Sequence, residues 1–257
     1  MVNQLKTLVE SGKPAIGTWI GFTDPYSVEA IGDAGFDWLL IDTEHFPISR
    51  ESLRTILVAL KGSPSVAVVR LPSNSPDHFQ TALDLGAGGV VVPMVSSRQD
   101  AAQAVSFCRY PPVGTRGFSP TRASRYFQDL EQYAETANGQ ISLIVQIETP
   151  QAVANIDEIL STEGIDGIFI GPSDLASFMS LPARTNHPEV ERVVNRLIER
   201  ACARGMPFGL PTWTPDECLS YVKRGARLLT LGSDLHFLAT SARNGLAGVR
   251  RLLNGNA

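Results

Sequence analysis

DWLLIDTEHFPISRESLRTILVALKG, residues 37–62, contains the two patterns that decide the fold. The apolar run at 38–41 is short and is flanked by polar residues, which is typical of a buried strand. Residues 49–62 then repeat apolar side chains at intervals of three and four, which predicts a helix that packs one side on a core. A buried strand followed by such a helix is the βα unit of a parallel sheet.

The same unit recurs along the whole chain. Eight apolar runs predict strands at 15–22, 37–42, 65–71, 89–95, 142–148, 167–171, 207–211 and 227–233, with helical patterns between them. Eight units in 257 residues predict an α/β protein with a single (β/α)8 barrel, one domain over residues 1–257. The alternative is an open doubly wound sheet, but no Gly-x-Gly-x-x-Gly turn follows the first strand to favour it.

Composition favours a small-molecule partner. The formal net charge is −4 and the basic residues are scattered, which argues against nucleic acid or an anionic membrane as a partner. The N-terminal sequence has no signal-peptide core, and no stretch approaches the roughly 20 apolar residues of a membrane span, so we expect a cytoplasmic protein. Three widely spaced cysteines without a CxxC pattern predict reduced, mostly buried thiols.

Polar side chains follow several predicted strands, where barrel enzymes carry their active sites. A single acid at a strand end is more often a helix cap or an ion-pair partner than a ligand. Their gathering on one rim favours a catalytic site. These residues are Trp19, Asp42, Glu44, His45, Arg70, Gln146, Glu148, Ser173 and Asp174.

The residue types indicate a chemistry. Glu148 and Asp174 follow adjacent strands and are ligands that a hard divalent cation such as Mg²⁺ prefers. Arg70 offers a fixed positive charge to a carboxylate or an enolate oxygen, and His45 is a proton carrier near neutral pH. A Schiff-base aldolase would need a lysine at a strand end, and none of the four lysines follows a predicted strand.

One segment breaks the rhythm. RYPPVGTRGFSPTRASRYF, residues 109–127, is too long and too rich in Pro, Gly and Arg for a plain βα loop. Long loops in compact domains are usually functional, so we expect this segment to have a functional role.

Several motifs resemble the HpcH/HpaI family of class II pyruvate aldolases. They are DTEH (42–45), VVRLP (68–72), VVPMV (91–95), LIVQIET (143–149), IDGIFIGPSDL (165–175) and LGSDL (231–235). The resemblance extends over roughly residues 15–240. It implies a modified TIM barrel with a divalent metal, Mg²⁺, Mn²⁺ or Co²⁺, that reversibly cleaves 2-keto-4-hydroxy acids to pyruvate, or hydroxypyruvate, and an aldehyde.

The resemblance also implies roles for individual residues. The metal ligands would be Glu148 and Asp174, the acid/base His45, and the group that steadies the enolate Arg70. Asp84 would raise the basicity of His45. By the resemblance, Gln146 and the backbone around Ser173 would contact the pyruvate part of the substrate. Trp19 and Asp174 are expected to contact the substrate because of their place at the strand ends.

Asp84 requires a second subunit for this role. The sequence places it near the end of the helix after the third strand, and such helix ends lie opposite the active site of a barrel. We therefore expect it to reach His45 of a neighbouring subunit. The resemblance implies a homo-oligomer, a hexamer whose C-terminal helices exchange between subunits.

The chain departs from the family at a few positions. Thr43 stands where Gly is frequent and Phe46 where a small residue is frequent; Phe46 is expected to narrow the aldehyde side of the pocket. Two alternatives stay open for Arg122 and Arg125: one of them binds a distal carboxylate of the substrate, or neither contacts the substrate. Two other functions stay open: an acyl-CoA hydroxy acid lyase of the citrate-lyase-like type, and a non-catalytic keto-acid-binding oligomer.

Overall fold

Eight parallel strands close into a barrel in this computed structural model, which describes residues 3–255. The strands pair in sequence order, and the last strand pairs with the first. The predicted (β/α)8 barrel is confirmed. The strands are β1 Ala15–Ile20, β2 Trp38–Asp42, β3 Val66–Arg70, β4 Gly89–Val92, β5 Ser142–Ile147, β6 Gly167–Ile170, β7 Phe208–Thr212 and β8 Leu228–Ser233.

Helices connect the strands and surround the barrel. They are α1 Gln4–Glu10, α2 Pro25–Gly32, α3 Arg50–Ala59, α4 Pro76–Asp84, α5 Arg98–Cys108, α6 Leu130–Gln140, α7 Pro150–Ala154, α8 Ile156–Leu160, α9 Pro172–Phe178, α10 Pro188–Ala203, α11 Pro215–Lys223 and α12 Asp234–Gly255. Side-chain caps fix several helix starts just beyond the strand ends: Ser49 accepts from the Ser52 amide at 3.1 Å and Thr149 from the Ala152 amide at 3.0 Å.

Strand side chains alternate between two cores. One set points outward and packs under the helices, and the other fills the barrel interior. Helix α1 closes the end where the strands begin, because its Leu5 and Val9 pack on the interior set. The interior side chains are Ala15, Trp38, Leu40, Val68, Val91, Ile144, Phe169 and Leu228.

The segment 109–127 lies at the end of the barrel where the strands begin. It follows α5, and Arg109 donates to the carbonyls of Ile141 at 2.9 Å and Gly164 at 3.2 Å, shortly before β5 and β6. Within one chain the segment is therefore an αβ connection on the side opposite the rim residues.

Two arginines of this segment are occupied by the protein. Arg122 donates to the carbonyl of Leu57 at 2.7 Å and to that of Leu85, at the C-terminal ends of α3 and α4. Arg125 pairs with Asp129 at 2.9 Å. Of the two alternatives, a substrate carboxylate or nothing, these contacts favour the second for the site of their own chain.

The second half of α12 has exposed apolar side chains. Leu246, Val249 and Leu253 recur at intervals of three and four and are more than half exposed. Within residues 3–255, no helix has both the length and the apolar character that crossing a membrane requires. The three cysteines are free thiols; Cys108 and Cys218 are buried, while Cys202 is exposed.

Candidate active site

Strand alternation places the rim residues inside the barrel mouth. Leu40 in β2 and Val68 in β3 point inward, so Asp42 and Arg70, two residues later, also point inward. Ile144 in β5 also points inward, so Gln146 and Glu148, two and four residues later, point to the same side. The polar residues thus form the next layer above the apolar interior.

Arg70 is fixed by three side chains. Its Nε and Nη2 donate to the two carboxylate oxygens of Asp42 at 2.9 and 2.7 Å. The guanidinium lies 4.3 Å from the centre of the Trp19 ring, and its Nε is 3.3 Å from Glu44 Oε2. A buried guanidinium held in this way is a preorganised positive charge.

Glu148 is 2% exposed at the end of β5. Its Oε1 accepts from the backbone amide of Met94 at 2.7 Å, and its Oε2 accepts from the Gln146 amide. Burial raises the pKa of Glu148 to about 7, and the nearby negative charges of Asp174 and Glu44 act in the same direction, while the two hydrogen bonds oppose them.

Asp174 belongs to the first turn of α9, directly after β6, and is partly buried. Its charge contributes to the raised pKa of both Glu148 and Glu44, so the three carboxylates face one region. Among residues 3–255, the buried Gln146 Oε1 has no hydrogen-bond donor, and the buried Glu44 Oε2 has the ion pair with Arg70 but no hydrogen bond. Three carboxylates and an amide oxygen without a donor fit a bound cation.

The donor set also limits which cation fits. Among the described residues, no three His, Cys, Asp or Glu side chains group closely enough to hold a metal. Mg²⁺ and similar ions are often held by one or two carboxylates and take their other ligands from water and substrate. Glu148 and Asp174 match that requirement.

His45 lies at the solvent side of this site. Its side chain is 58% exposed, and its Nε2 is 3.9 Å from Glu44 Oε2. Its backbone amide and that of Glu44 both donate to Asp42 Oδ1, at 3.2 and 3.0 Å. Asp42 therefore holds the His45 segment and Arg70 together. Burial raises the pKa of Glu44, and the nearby Arg70 and His45 oppose that change.

The remaining predicted site residues fall in two places. Ser173 is exposed next to Asp174. Asp84 ends α4 on the side opposite the mouth, where it accepts from Arg116 at 2.6 Å, and Arg116 lies over the ring of Tyr110 at 4.4 Å. The structure thus brings together every predicted site residue except Asp84.

Two functional contacts escaped sequence reasoning. Asp42 was predicted to lie at the rim, but its hydrogen bonds with Arg70 were not. They form because the strand register places these two residues side by side. Met94 has a φ of 58°, and this left-handed conformation accompanies the contact of its amide with Glu148. The sequence does not indicate this conformation, because methionine rarely adopts left-handed backbone angles.

Gly171 gives a direct test of the Glu148 position. A Cβ at residue 171 would lie 2.9 Å from both Cβ and Oε2 of Glu148. The Gly171→Ala variant should therefore displace the carboxylate and weaken Mn²⁺ binding at least about tenfold, measured by electron paramagnetic resonance. Gly139→Ala, in α6 with open space around it, is the matched control and should bind Mn²⁺ normally. Normal binding by Gly171→Ala would contradict the assignment.

Comparison with known proteins gives a consistent result. A family model described as HpcH/HpaI aldolase/citrate lyase matches residues 15–241. The 5-keto-4-deoxy-D-glucarate aldolase of Escherichia coli O139:H28 (strain E24377A / ETEC) is 39% identical over 233 residues, 91% of each chain.

Two solved structures of the same family superpose on nearly the whole chain. An HpcH/HpaI aldolase/citrate lyase family protein from Burkholderia cenocepacia J2315 superposes with a TM-score of 0.93 at 33% identity, covering 97% of this chain and 100% of that one. An HpcH/HpaI aldolase from Desulfitobacterium hafniense DCB-2 gives a TM-score of 0.89 at 28% identity, with 96% of both chains covered.

Proposed function

Because this chain belongs to the HpcH/HpaI aldolase/citrate lyase family and is an aldolase-type lyase, we propose that it cleaves 2-keto-4-hydroxy acids. The products are pyruvate, or hydroxypyruvate, and an aldehyde, and the cofactor is a divalent cation. The observation that carries this proposal is the pairing of Glu148 and Asp174 with a buried, preorganised Arg70 at one barrel mouth.

Glu148 and Asp174 would hold the cation, which is Mg²⁺, Mn²⁺ or Co²⁺. When bound, it would draw electron density from the keto acid and make the carbons next to the carbonyl more acidic. Gln146 and Ser173 would contact the keto-acid part of the substrate; in support of this, Gln146 Oε1 has no donor within residues 3–255, and Ser173 is exposed beside Asp174.

The protein's own residues then move the protons. In cleavage, His45 accepts the proton of the 4-hydroxyl, the C3–C4 bond breaks, and its electron pair forms the enolate of pyruvate. Arg70 stabilises the negative oxygen of that enolate. His45 returns a proton to C3, which gives pyruvate, and condensation follows the same steps in reverse.

The aldehyde is predicted only as a class. The E. coli relative is named for a keto-deoxy sugar diacid, which favours a hydroxylated, carboxylate-bearing aldehyde. Phe46 packs against Gly21, where even a Cβ would overlap its ring, and we propose that Phe46 narrows the aldehyde side of the mouth. We expect a small acceptor for this reason.

Asp84 leads to a proposal about assembly. It lies on the side of its own barrel opposite His45, so it can act on His45 only in a neighbouring subunit. The exposed apolar side of α12 is suited to exchange with a second copy of the chain. We propose a homo-oligomer, a hexamer by resemblance, in which Asp84 orients the neighbour's His45.

Mixing two inactive variants tests this arrangement. His45→Ala and Asp84→Asn should each lose most activity, while subunits mixed and allowed to exchange should regain about a quarter of the wild-type activity per chain, because one in four interfaces joins an intact His45 to an intact Asp84. Pyruvate release is the measurement. No recovery, with exchange shown by native mass spectrometry, would refute the shared site.

A substrate panel tests the proposed function itself. Pyruvate release is followed with a coupling enzyme for 4-hydroxy-2-oxo acids, including 5-keto-4-deoxy-D-glucarate, and release of the shortened acyl-CoA is followed for acyl-CoA hydroxy acids. We expect release from the first group and none from the second. The reverse would favour the acyl-CoA lyase, and tight keto-acid binding without turnover would favour the binding oligomer.

A further inference from the structure

Thr43 makes an unusual double contact at the end of β3. Its backbone amide donates to the carbonyl of Arg70 at 3.1 Å, and its hydroxyl donates to the same carbonyl at 2.6 Å. The amide contact continues the β2–β3 pairing by one residue beyond Asp42 and Arg70. The hydroxyl contact is additional, and a glycine or valine at position 43 would not supply it.

Thr43 and Asp42 bind the two ends of the same residue. Asp42 holds the guanidinium of Arg70 with its carboxylate, and Thr43 holds the main-chain carbonyl. Asp42 also accepts from the amides of Glu44 and His45. Residues 42–45 are therefore connected to Arg70 through both its side chain and its main chain.

This connection matters for His45 because side-chain packing does not fix its imidazole. The ring is 58% exposed, and its distance of 3.9 Å from Glu44 is too long for a hydrogen bond. Within one chain, the position of the ring relative to Arg70 thus depends on the main chain of residues 43–45, which sets where Asp84 of a neighbouring subunit would meet it. Small displacements of a reacting group have large effects on rate.

We propose that the Thr43 hydroxyl is a positioning group, which fixes the distance between His45 and Arg70 during proton transfer. This inference rests on the proposed function, in which His45 moves the proton and Arg70 holds the enolate oxygen. Thr43 is not among the residues proposed to hold the substrate or the cation, and its hydroxyl is bound to the Arg70 carbonyl. Its effect should therefore appear in the proton-transfer step and leave cation binding unchanged.

Two nearly isosteric variants test the proposal. Thr43→Val keeps the shape and removes the hydroxyl, whereas Thr43→Ser keeps the hydroxyl. We expect Thr43→Val to lower kcat, and the rate of deuterium exchange into the methyl group of pyruvate, about tenfold. KM for the keto acid and the Mn²⁺ dissociation constant should stay within about twofold, and Thr43→Ser should restore kcat to within about threefold.

The outcomes separate this inference from the proposed function. Wild-type protein that releases no pyruvate in any metal would refute the proposed function and with it the role of Thr43. An active wild type with an unaffected Thr43→Val would refute the role of Thr43 alone. Loss of Mn²⁺ affinity or of thermal stability in Thr43→Val, unrepaired in Thr43→Ser, would show a merely structural role and would also overturn the proposal.

Discussion

Replacing Glu148 with glutamine should lower kcat at least about a thousandfold and weaken Mn²⁺ binding at least about a hundredfold. The amide has nearly the same shape as the carboxylate, so the barrel should fold. It removes the negative charge from a side chain that burial isolates from solvent. An ammonia-free, metal-free preparation titrated with Mn²⁺ by paramagnetic resonance gives the affinity, and pyruvate release gives kcat.

Glu163→Gln is the matched control for this change. Glu163 is exposed in the connection before β6 and lies outside the barrel mouth. This variant should match the wild type in both measurements. If Glu148→Gln bound Mn²⁺ with wild-type affinity, Glu148 would not be a ligand and the proposed cation site would be wrong.

Replacing Arg70 with lysine should separate anion stabilisation from cation binding. Lysine keeps the charge but cannot donate to both oxygens of Asp42 in the planar arrangement of a guanidinium. We expect kcat to fall about a hundredfold to a thousandfold, because one preorganised donor to the enolate oxygen is lost or displaced. The Mn²⁺ dissociation constant should change by less than about threefold, since both proposed ligands remain.

The same variant should be less stable, because the buried Asp42 loses one of its two charge-assisted hydrogen bonds from residue 70. We expect the free energy of unfolding to fall by about 1–3 kcal/mol in a urea titration. Arg50→Lys, an exposed site at the start of α3, should change neither stability nor kcat. Unchanged kcat in a folded Arg70→Lys protein would show that Arg70 has only a structural role.

Much of the barrel could be predicted from sequence because its strands are buried on both sides. Runs such as 38–41 and 143–147 have apolar residues at nearly every position, and the structure confirms strands at both. The site follows from the same rule, since polar residues that end such runs must lie at the strand ends. Glu148 and Arg70 were predicted to lie at the rim on that basis. Their hydrogen bonds with Met94 and Asp42, which also lie at strand ends, are consistent with that position.

Other features depend on contacts between distant parts of the chain. For Arg122 the sequence left open whether it receives a substrate carboxylate or nothing, and the structure shows it donating to main-chain carbonyls 37 and 65 residues away. Helices α1 and α9 have seven residues each, too few for a clear helical period in the sequence. The left-handed backbone conformation of Met94 could not be predicted, because no glycine or asparagine stands at that position.

The most direct test of the central claim uses pyruvate alone in deuterated water, without any aldehyde. Exchange of the pyruvate methyl protons, followed by nuclear magnetic resonance, requires only a cation at Glu148 and Asp174 and proton transfer by His45. We predict exchange with Mg²⁺, Mn²⁺ or Co²⁺, loss of exchange after removal of the metal with EDTA, recovery when metal is restored, and none in Glu148→Gln. Exchange by the protein that persists in EDTA and in Glu148→Gln would contradict a metal-dependent pyruvate aldolase.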